Sequence, residues 1–127
     1  MTSRQAHVLV AEDNELVGSA MRILLEETGH RVTVAQSIAD TVSAAAADRV
    51  DVLLLDLGLA DGDGLAVLSR LGTLGALPRV TVALTGRDEW EVRERCLAAG
   101  CRTVLVKPVP SRELMRLVAD WAREGSG

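Results

Sequence analysis

The sequence predicts an α/β fold in three layers (α/β/α), with a five-stranded parallel sheet in the order 2-1-3-4-5. Three observations carry this reading. The apolar runs Val8-Leu9-Val10-Ala11, Val52-Leu53-Leu54-Leu55, Val80-Thr81-Val82-Ala83-Leu84 and Val104-Leu105-Val106 are near-continuous, as in strands buried on both faces. They alternate with helical patterns along the whole chain. Right-handed crossovers leave few topologies for five β/α units, and the flavodoxin-like order puts its switch point between strands one and three.

Each element has a local reason. Strand one covers about residues 7–11. The first helix runs from near Glu15 to Glu27, with Leu16, Ala20, Ile23 and Leu24 at helical spacing and Gly29 as its stop. Strand two is about 31–35. Ser37, with Asp40 three residues on, caps a second helix whose alanines 44–47 favour it by propensity. Strand three is 52–55, the segment 58–64 a loop, and a short helix spans about 65–71. Gly72, Gly75 and Pro78 punctuate the return to strand four, 80–84. Asp88 with Glu91 reads as a capping box opening a fourth helix that Gly100 ends. Strand five is about 103–106. Ser111 caps the last helix, striped by Leu114, Leu117, Val118 and Trp121.

Composition bounds the function. A chain of 127 residues with 48% hydrophobic residues makes one domain with a proper core. The domain is read as residues 6–123, with flexible termini at 1–5 and 124–127. A net charge of -4 argues against a general attraction to nucleic acid or anionic membrane. No apolar run reaches the ~20 residues that span a bilayer, and the start lacks a signal-peptide pattern. Cys96 and Cys101, spaced i, i+5 with no histidine near, read as small buried or semi-buried thiols in a reducing cytoplasm.

The functional signal is a convergence. Glu12-Asp13, Asp56, Thr85 and Lys107 each follow an apolar run, so in a parallel sheet all emerge at the carboxyl edge, where open α/β sheets hold ligands. Three carboxylates in one crevice repel each other, and one should be pushed toward its protonated form unless a cation joins them. Mg2+ suits such an oxygen cluster and completes its shell with phosphate oxygen. Asp56 can take a phosphoryl group as an acyl phosphate. The cation and Lys107 would neutralise the developing charge, and the Thr85 hydroxyl can donate to a phosphoryl oxygen. Taken singly, each residue is more simply a solvated loop acid, a helix cap, a structural threonine or a surface lysine. The argument rests on their convergence. Pro108 after Lys107 is a candidate cis position that aims the lysine back over the edge.

These residues carry a family resemblance. Glu12-Asp13-Asn14-Glu15 resembles the acidic pair of response-regulator receiver domains (the CheY-like superfamily of two-component signalling). The stretch from Leu55 to Gly64 is similar to their phosphoacceptor loop, and Ala83-Leu84-Thr85-Gly86 and Val106-Lys107-Pro108 resemble their hydroxyl and lysine motifs. Each motif is weak alone, but their order and spacing over residues 6–123 are specific. The resemblance implies that Asp56 is phosphorylated by a histidine kinase or phosphotransfer protein and later loses the phosphoryl group by hydrolysis. It implies that Asp13, Asp56 and the Gly58 backbone carbonyl bind Mg2+, with Glu12 acting largely through water. Lys107 would hold the phosphoryl group, Thr85 would report it to the surface of helix four, strand five and helix five, and Gly58 and Arg87 would flank the attacking water.

The sequence departs from the pattern in four places: Val104 for the switch aromatic, Val109 for the aromatic after Lys-Pro, Ala60 for a loop proline, and the pair Arg102-Thr103 where acids are common. The chemistry is complete, but the inward-turning aromatic is absent. A signalling switch is therefore expected, not an enzyme with turnover: cytoplasmic, monomeric or weakly dimeric, with no direct contact to nucleic acid or membrane. With no output region after the last helix, it reads as a single-domain regulator or a receiver from a larger protein. The rivals are weaker. Gly62-Asp63-Gly64 follows the wrong strand for a dinucleotide fingerprint, and Val67 replaces its last glycine. A calcium loop at Asp61 and Asp63 lacks its twelfth-position acid. An aspartyl phosphatase needs a cap and a second acid. A phosphorylation-independent pseudo-receiver would be expected to have lost one of Asp13, Asp56, Thr85 or Lys107. His7 and His30 lie away from the edge, Trp121 reads as core, and Trp90 opens helix four beside the Thr85 loop.

Overall fold

The computed structural model describes residues 5–124. Ten elements alternate without exception: β1 (His7–Ala11), α1 (Glu15–Glu27), β2 (Arg31–Ala35), α2 (Ile38–Ala47), β3 (Val52–Asp56), α3 (Ala66–Leu74), β4 (Val80–Thr85), α4 (Trp90–Ala98), β5 (Thr103–Val106) and α5 (Ser111–Glu124). All strand pairings are parallel and the order is β2-β1-β3-β4-β5, as the sequence predicts. No helix among the described residues is long and apolar enough to cross a membrane. Of the termini expected to be flexible, 1–4 and 125–127 lie outside the described residues.

Strand side chains alternate between two faces, and each face meets its own helices. Leu9, Ala11, Leu53, Leu55, Ala83 and Val104 pack with Ile38 and Val42 of α2, Val67 and Leu71 of α3, and Cys96 of α4. Val8, Val10, Val52, Leu54, Val82 and Leu84 pack with Leu25 of α1 and Leu114, Val118 and Trp121 of α5. Leu53, Leu54 and Leu55 are fully buried. Each contributes about 1.5–3 kcal/mol by leaving water, which holds the strand ending in Asp56 rigid.

The elements differ from the sequence reading in instructive places. On α1, Leu16 and Ile23 stay exposed, and the buried positions are Gly18 and Leu25. The cause is close packing: a Cβ on Gly18 would stand 2.9 Å from Val34 Cγ1, so the helix lies on its glycine side and its apolar stripe extends beyond the buried face. Helix α3 runs to Leu74, three residues past the expected end, and stops at Gly75 in the left-handed region (φ 68). The expected capping box at α4 does not form. Glu89 is the cap residue with no side-chain cap bond, because the Asp88 carboxylate accepts from Arg93 Nε (3.0 Å). Ser111 is the first residue of α5 rather than its cap, and the Pro110 carbonyl accepts from the Leu114 amide (3.0 Å). The Ser37 cap of α2 is as expected, its hydroxyl accepting from Asp40 N at 3.0 Å.

Candidate functional site

The parallel register delivers the site residues to one edge. Asp56 and Thr85 are the last residues of β3 and β4, and Lys107 immediately follows β5. Glu12 follows β1 and is held in line by its amide, which donates to the Ala35 carbonyl (2.9 Å). Asp13 begins the turn into α1, whose cap is Asn14, its Oδ1 accepting from Val17 N (3.1 Å). Glu12, Asp56 and Thr85 are buried, Asp13 is exposed, and Lys107 is partly covered. The Lys107–Pro108 peptide is cis.

Every expected site residue comes together here. Carboxylate oxygens of Glu12, Asp13 and Asp56 lie within 4.8 Å of one another, a cluster that could hold a metal ion. Such all-oxygen chemistry suits a hard divalent cation. Lys107 Nζ donates to Asp56 Oδ2 at 2.9 Å and stands 3.8 Å from Glu12 Oε1. Asp56 Oδ1 accepts from the Gly58 amide at 2.9 Å. Glu12 Oε2 accepts from the Asn14 amide at 3.1 Å. Thr85 Oγ1 accepts from the Arg87 amide (3.1 Å), which leaves its own O–H to donate.

The two buried acids divide the cost of their proximity. Burial raises the Glu12 carboxyl above its ordinary value; the Asn14 amide opposes this and the Asp56 carboxylate adds to it. Burial acts on Asp56 in the same sense, but the Gly58 amide and the Lys107 ammonium outweigh it and hold that carboxyl below the usual range. Without a cation, Glu12 is the acid pushed toward its protonated form, and Asp56 is left ionised.

The loop from β3 to α3 reaches the same edge. A Cβ on Gly64 would lie 2.8 Å from the Asp56 carbonyl oxygen, so this loop folds directly against the end of β3. Two of its acids, read from sequence only as failed calcium ligands, have definite partners. Asp61 accepts from the Ile38 amide (2.9 Å to Oδ1, 3.0 Å to Oδ2) at the start of α2. Asp63 accepts from the Leu65 amide (3.0 Å) and pairs with Arg95 of α4. Nothing in sequence spacing ties Asp63 to a residue 32 positions away; only the sheet order makes them neighbours. Arg87 is exposed and engages Glu89 Oε1 at 2.8 and 3.0 Å.

The sheet order defines a flavodoxin-like α/β domain, with the crevice of acids and lysine at its carboxyl edge. The chain belongs to the response regulator receiver domain family, whose model matches residues 8–119. It is similar to the virulence transcriptional regulatory protein PhoP of Salmonella typhimurium, 31% identical over 120 residues, covering 94% of this chain and 53% of that protein. The chain thus spans about half the length of the curated relatives it matches. Among solved structures it resembles a two-component response regulator from Clostridium difficile (TM-score 0.89, 20% identity, 97% of this chain and 100% of that one). It also resembles the receiver domain of sensor histidine kinase PA1611 from Pseudomonas aeruginosa PAO1, a structure with a magnesium ion coordinated in its active site cleft (TM-score 0.82, 28% identity, 94% and 98% covered).

Proposed function

We propose that this receiver domain takes a phosphoryl group onto Asp56 from the phosphohistidine of a sensor kinase or phosphotransfer protein, with Mg2+, and is reset by hydrolysis. The observation that carries the proposal is the pairing of Asp56 with Lys107 inside an acid cluster. One carboxylate is kept ionised and nucleophilic, with a cation already at its side. Asp56 attacks the phosphorus, the N–P bond of the donor breaks, and histidine leaves with its electron pair. Asp13, Asp56 and the Gly58 carbonyl are the proposed direct metal ligands, with Glu12 acting largely through water, and the metal would supply charge neutralisation on the phosphoryl oxygens. Lys107 holds one phosphoryl oxygen and the Thr85 hydroxyl donates to another. Gly58 and Arg87 flank the path of the attacking water and set the lifetime of the acyl phosphate. The domain acts as a cytoplasmic switch, monomeric or weakly dimeric. Its residues 6–123 form the functional unit, with α4, β5 and α5 as the output surface.

A pseudo-receiver that never takes phosphate is disfavoured because Asp13, Asp56, Thr85 and Lys107 are all present and all at one edge. Acetyl phosphate with Mg2+ should add one phosphoryl mass to the protein, and Asp56→Asn should abolish it. Full labelling of that variant removes Asp56 from the role.

A further inference from the structure

The cavity in front of Asp56 is lined by Thr85 and Lys107 and also by two guanidinium side chains, Arg87 and Arg95, and by Asp63. Each guanidinium is already occupied by a carboxylate, Arg87 by Glu89 and Arg95 by Asp63. The two pairs differ in what they join. Arg87 and Glu89 lie two residues apart on one loop, so exchanging that partner moves nothing else. Arg95 and Asp63, both lining the cavity, tie α4 to the β3–α3 loop. Asp63 is fixed by its bond from the Leu65 amide and by the close approach of Gly64 to the Asp56 carbonyl. Helix α4 is held much less firmly. Cys96 is its only buried residue, and no side chain caps its start.

We propose that Asp63 holds Arg95 back from Asp56, and that a phosphoryl group on Asp56 takes Arg95 over, releasing α4 from the β3–α3 loop. This rests on the reading of Asp56 as the phosphoacceptor. A phosphoryl group carries about -1.5 to -2 charges and three acceptor oxygens, against a single charge on Asp63, and the planar fork of arginine suits it better. Both partners of the existing pair are more than half exposed, so the pair is weak enough to be exchanged. Exposed pairs of this kind shift an equilibrium by about two- to fivefold. Reciprocity follows: whatever weakens the Asp63–Arg95 contact must favour the phosphoryl-bound state by the same factor. Arg95 thereby acts as a positioning residue for the switch, a cation delivered from the helix that has to move.

Beryllofluoride with Mg2+, titrated calorimetrically, tests the hand-over. Asp63→Asn keeps an oxygen for the Leu65 amide but releases Arg95, and should tighten binding by about two- to fivefold. Arg95→Gln should weaken it, and adding Asp63→Asn to Arg95→Gln should then change nothing further. In the metal-free protein, Asp63→Asn should speed amide hydrogen exchange in α4. A gain from Asp63→Asn that persists without Arg95 would mean that only a negative charge had been removed, and overturns the proposal. Unaltered affinity in both single variants, or unaltered exchange in α4, overturns it as well. If the parent protein binds no beryllofluoride, the phosphoacceptor reading itself falls, and this inference with it.

Discussion

Lys107 Nζ stands 2.9 Å from Asp56 Oδ2 while the Gly58 amide occupies Asp56 Oδ1, so both oxygens of the proposed nucleophile are engaged in the resting protein. The carboxylate is therefore ionised and oriented before any donor arrives. On the proposed function, Lys107 would give up part of its contact as a phosphoryl group or cation claimed Asp56. A compact ammonium on a flexible stem can follow the charge from Asp56 to a phosphoryl oxygen without a change in the backbone.

On the proposed metal site, Mg2+ should stabilise the unphosphorylated protein, because it would join three carboxylates that otherwise repel and would bind only the folded chain. At a concentration tenfold above its dissociation constant the gain is about 1.4 kcal/mol. For a chain of this length that is a rise in Tm of about 5 °C. Asp13→Asn should lose most of the rise. Scanning calorimetry at constant ionic strength decides the matter; a Tm indifferent to Mg2+ in the parent would count against the metal site.

Gly64→Ala should damage the site without touching its chemistry. The added methyl meets the Asp56 carbonyl oxygen at 2.8 Å and the Leu57 Cα at 3.2 Å, both backbone atoms that cannot swing aside. Overpacking of this kind costs about 1–3 kcal/mol and forces the β3–α3 loop off the end of β3. Urea unfolding should show the loss, and acetyl phosphate labelling should slow. Parent-like values for both would mean that the loop has more room than its contacts indicate.

The fold was legible in the sequence because nearly every local signal agreed with the global one. Near-continuous apolar runs such as Val52-Leu53-Leu54-Leu55 are buried on both faces, and the Ser37 cap forms as its motif indicates. The convergence of the candidate site residues was legible because they sit at strand ends, and a parallel sheet brings all strand ends of one kind to one edge. What the sequence concealed were choices between competing partners. Asp88 resembles a helix cap but is taken by Arg93. Leu16 and Ile23 look like core but are displaced by the close seating of Gly18 on Val34. Side-chain pairings across elements, such as Asp63 with Arg95, carry no periodicity and are seen only in three dimensions.

Stability should fall as pH drops below neutrality, through His30. This side chain is buried behind β1, and its Nδ1 accepts from the Ala6 amide at 3.1 Å. Burial lowers its pKa from the ordinary 6.5. The unfolded chain therefore takes up a proton at higher pH than the folded one. His30 contributes its full stability above about pH 6.5 and loses it as pH falls toward the lower folded value, at no more than about 1.4 kcal/mol per pH unit. Denaturant unfolding between roughly pH 7.5 and 5.5 should show the decline, and His30→Gln should flatten it. An equally steep decline in that variant would assign the effect to another group.

Trp90 should report the switch, and Trp121 should not. Val104 is buried beside Ala83 on β5, and the chain has no Phe or Tyr, so no ring is available to turn inward when Thr85 moves. The Thr85 hydroxyl oxygen instead holds the Arg87 amide at 3.1 Å. On the proposed function, drawing that hydroxyl onto a phosphoryl oxygen would strain or break this bond, and the disturbance would pass along residues 86–89 to the start of α4, which no side chain caps. Trp90 is the first residue of that helix and is 72% exposed, whereas Trp121 is 6% exposed in the core beneath α5. In single-tryptophan variants made with Trp121→Phe or Trp90→Phe, beryllofluoride with Mg2+ should change the emission of the protein that keeps Trp90. A change confined to the protein that keeps Trp121, or amide shifts centred on Val104 and absent from residues 85–90, would place the transmitting path through β5 and not through the β4–α4 loop.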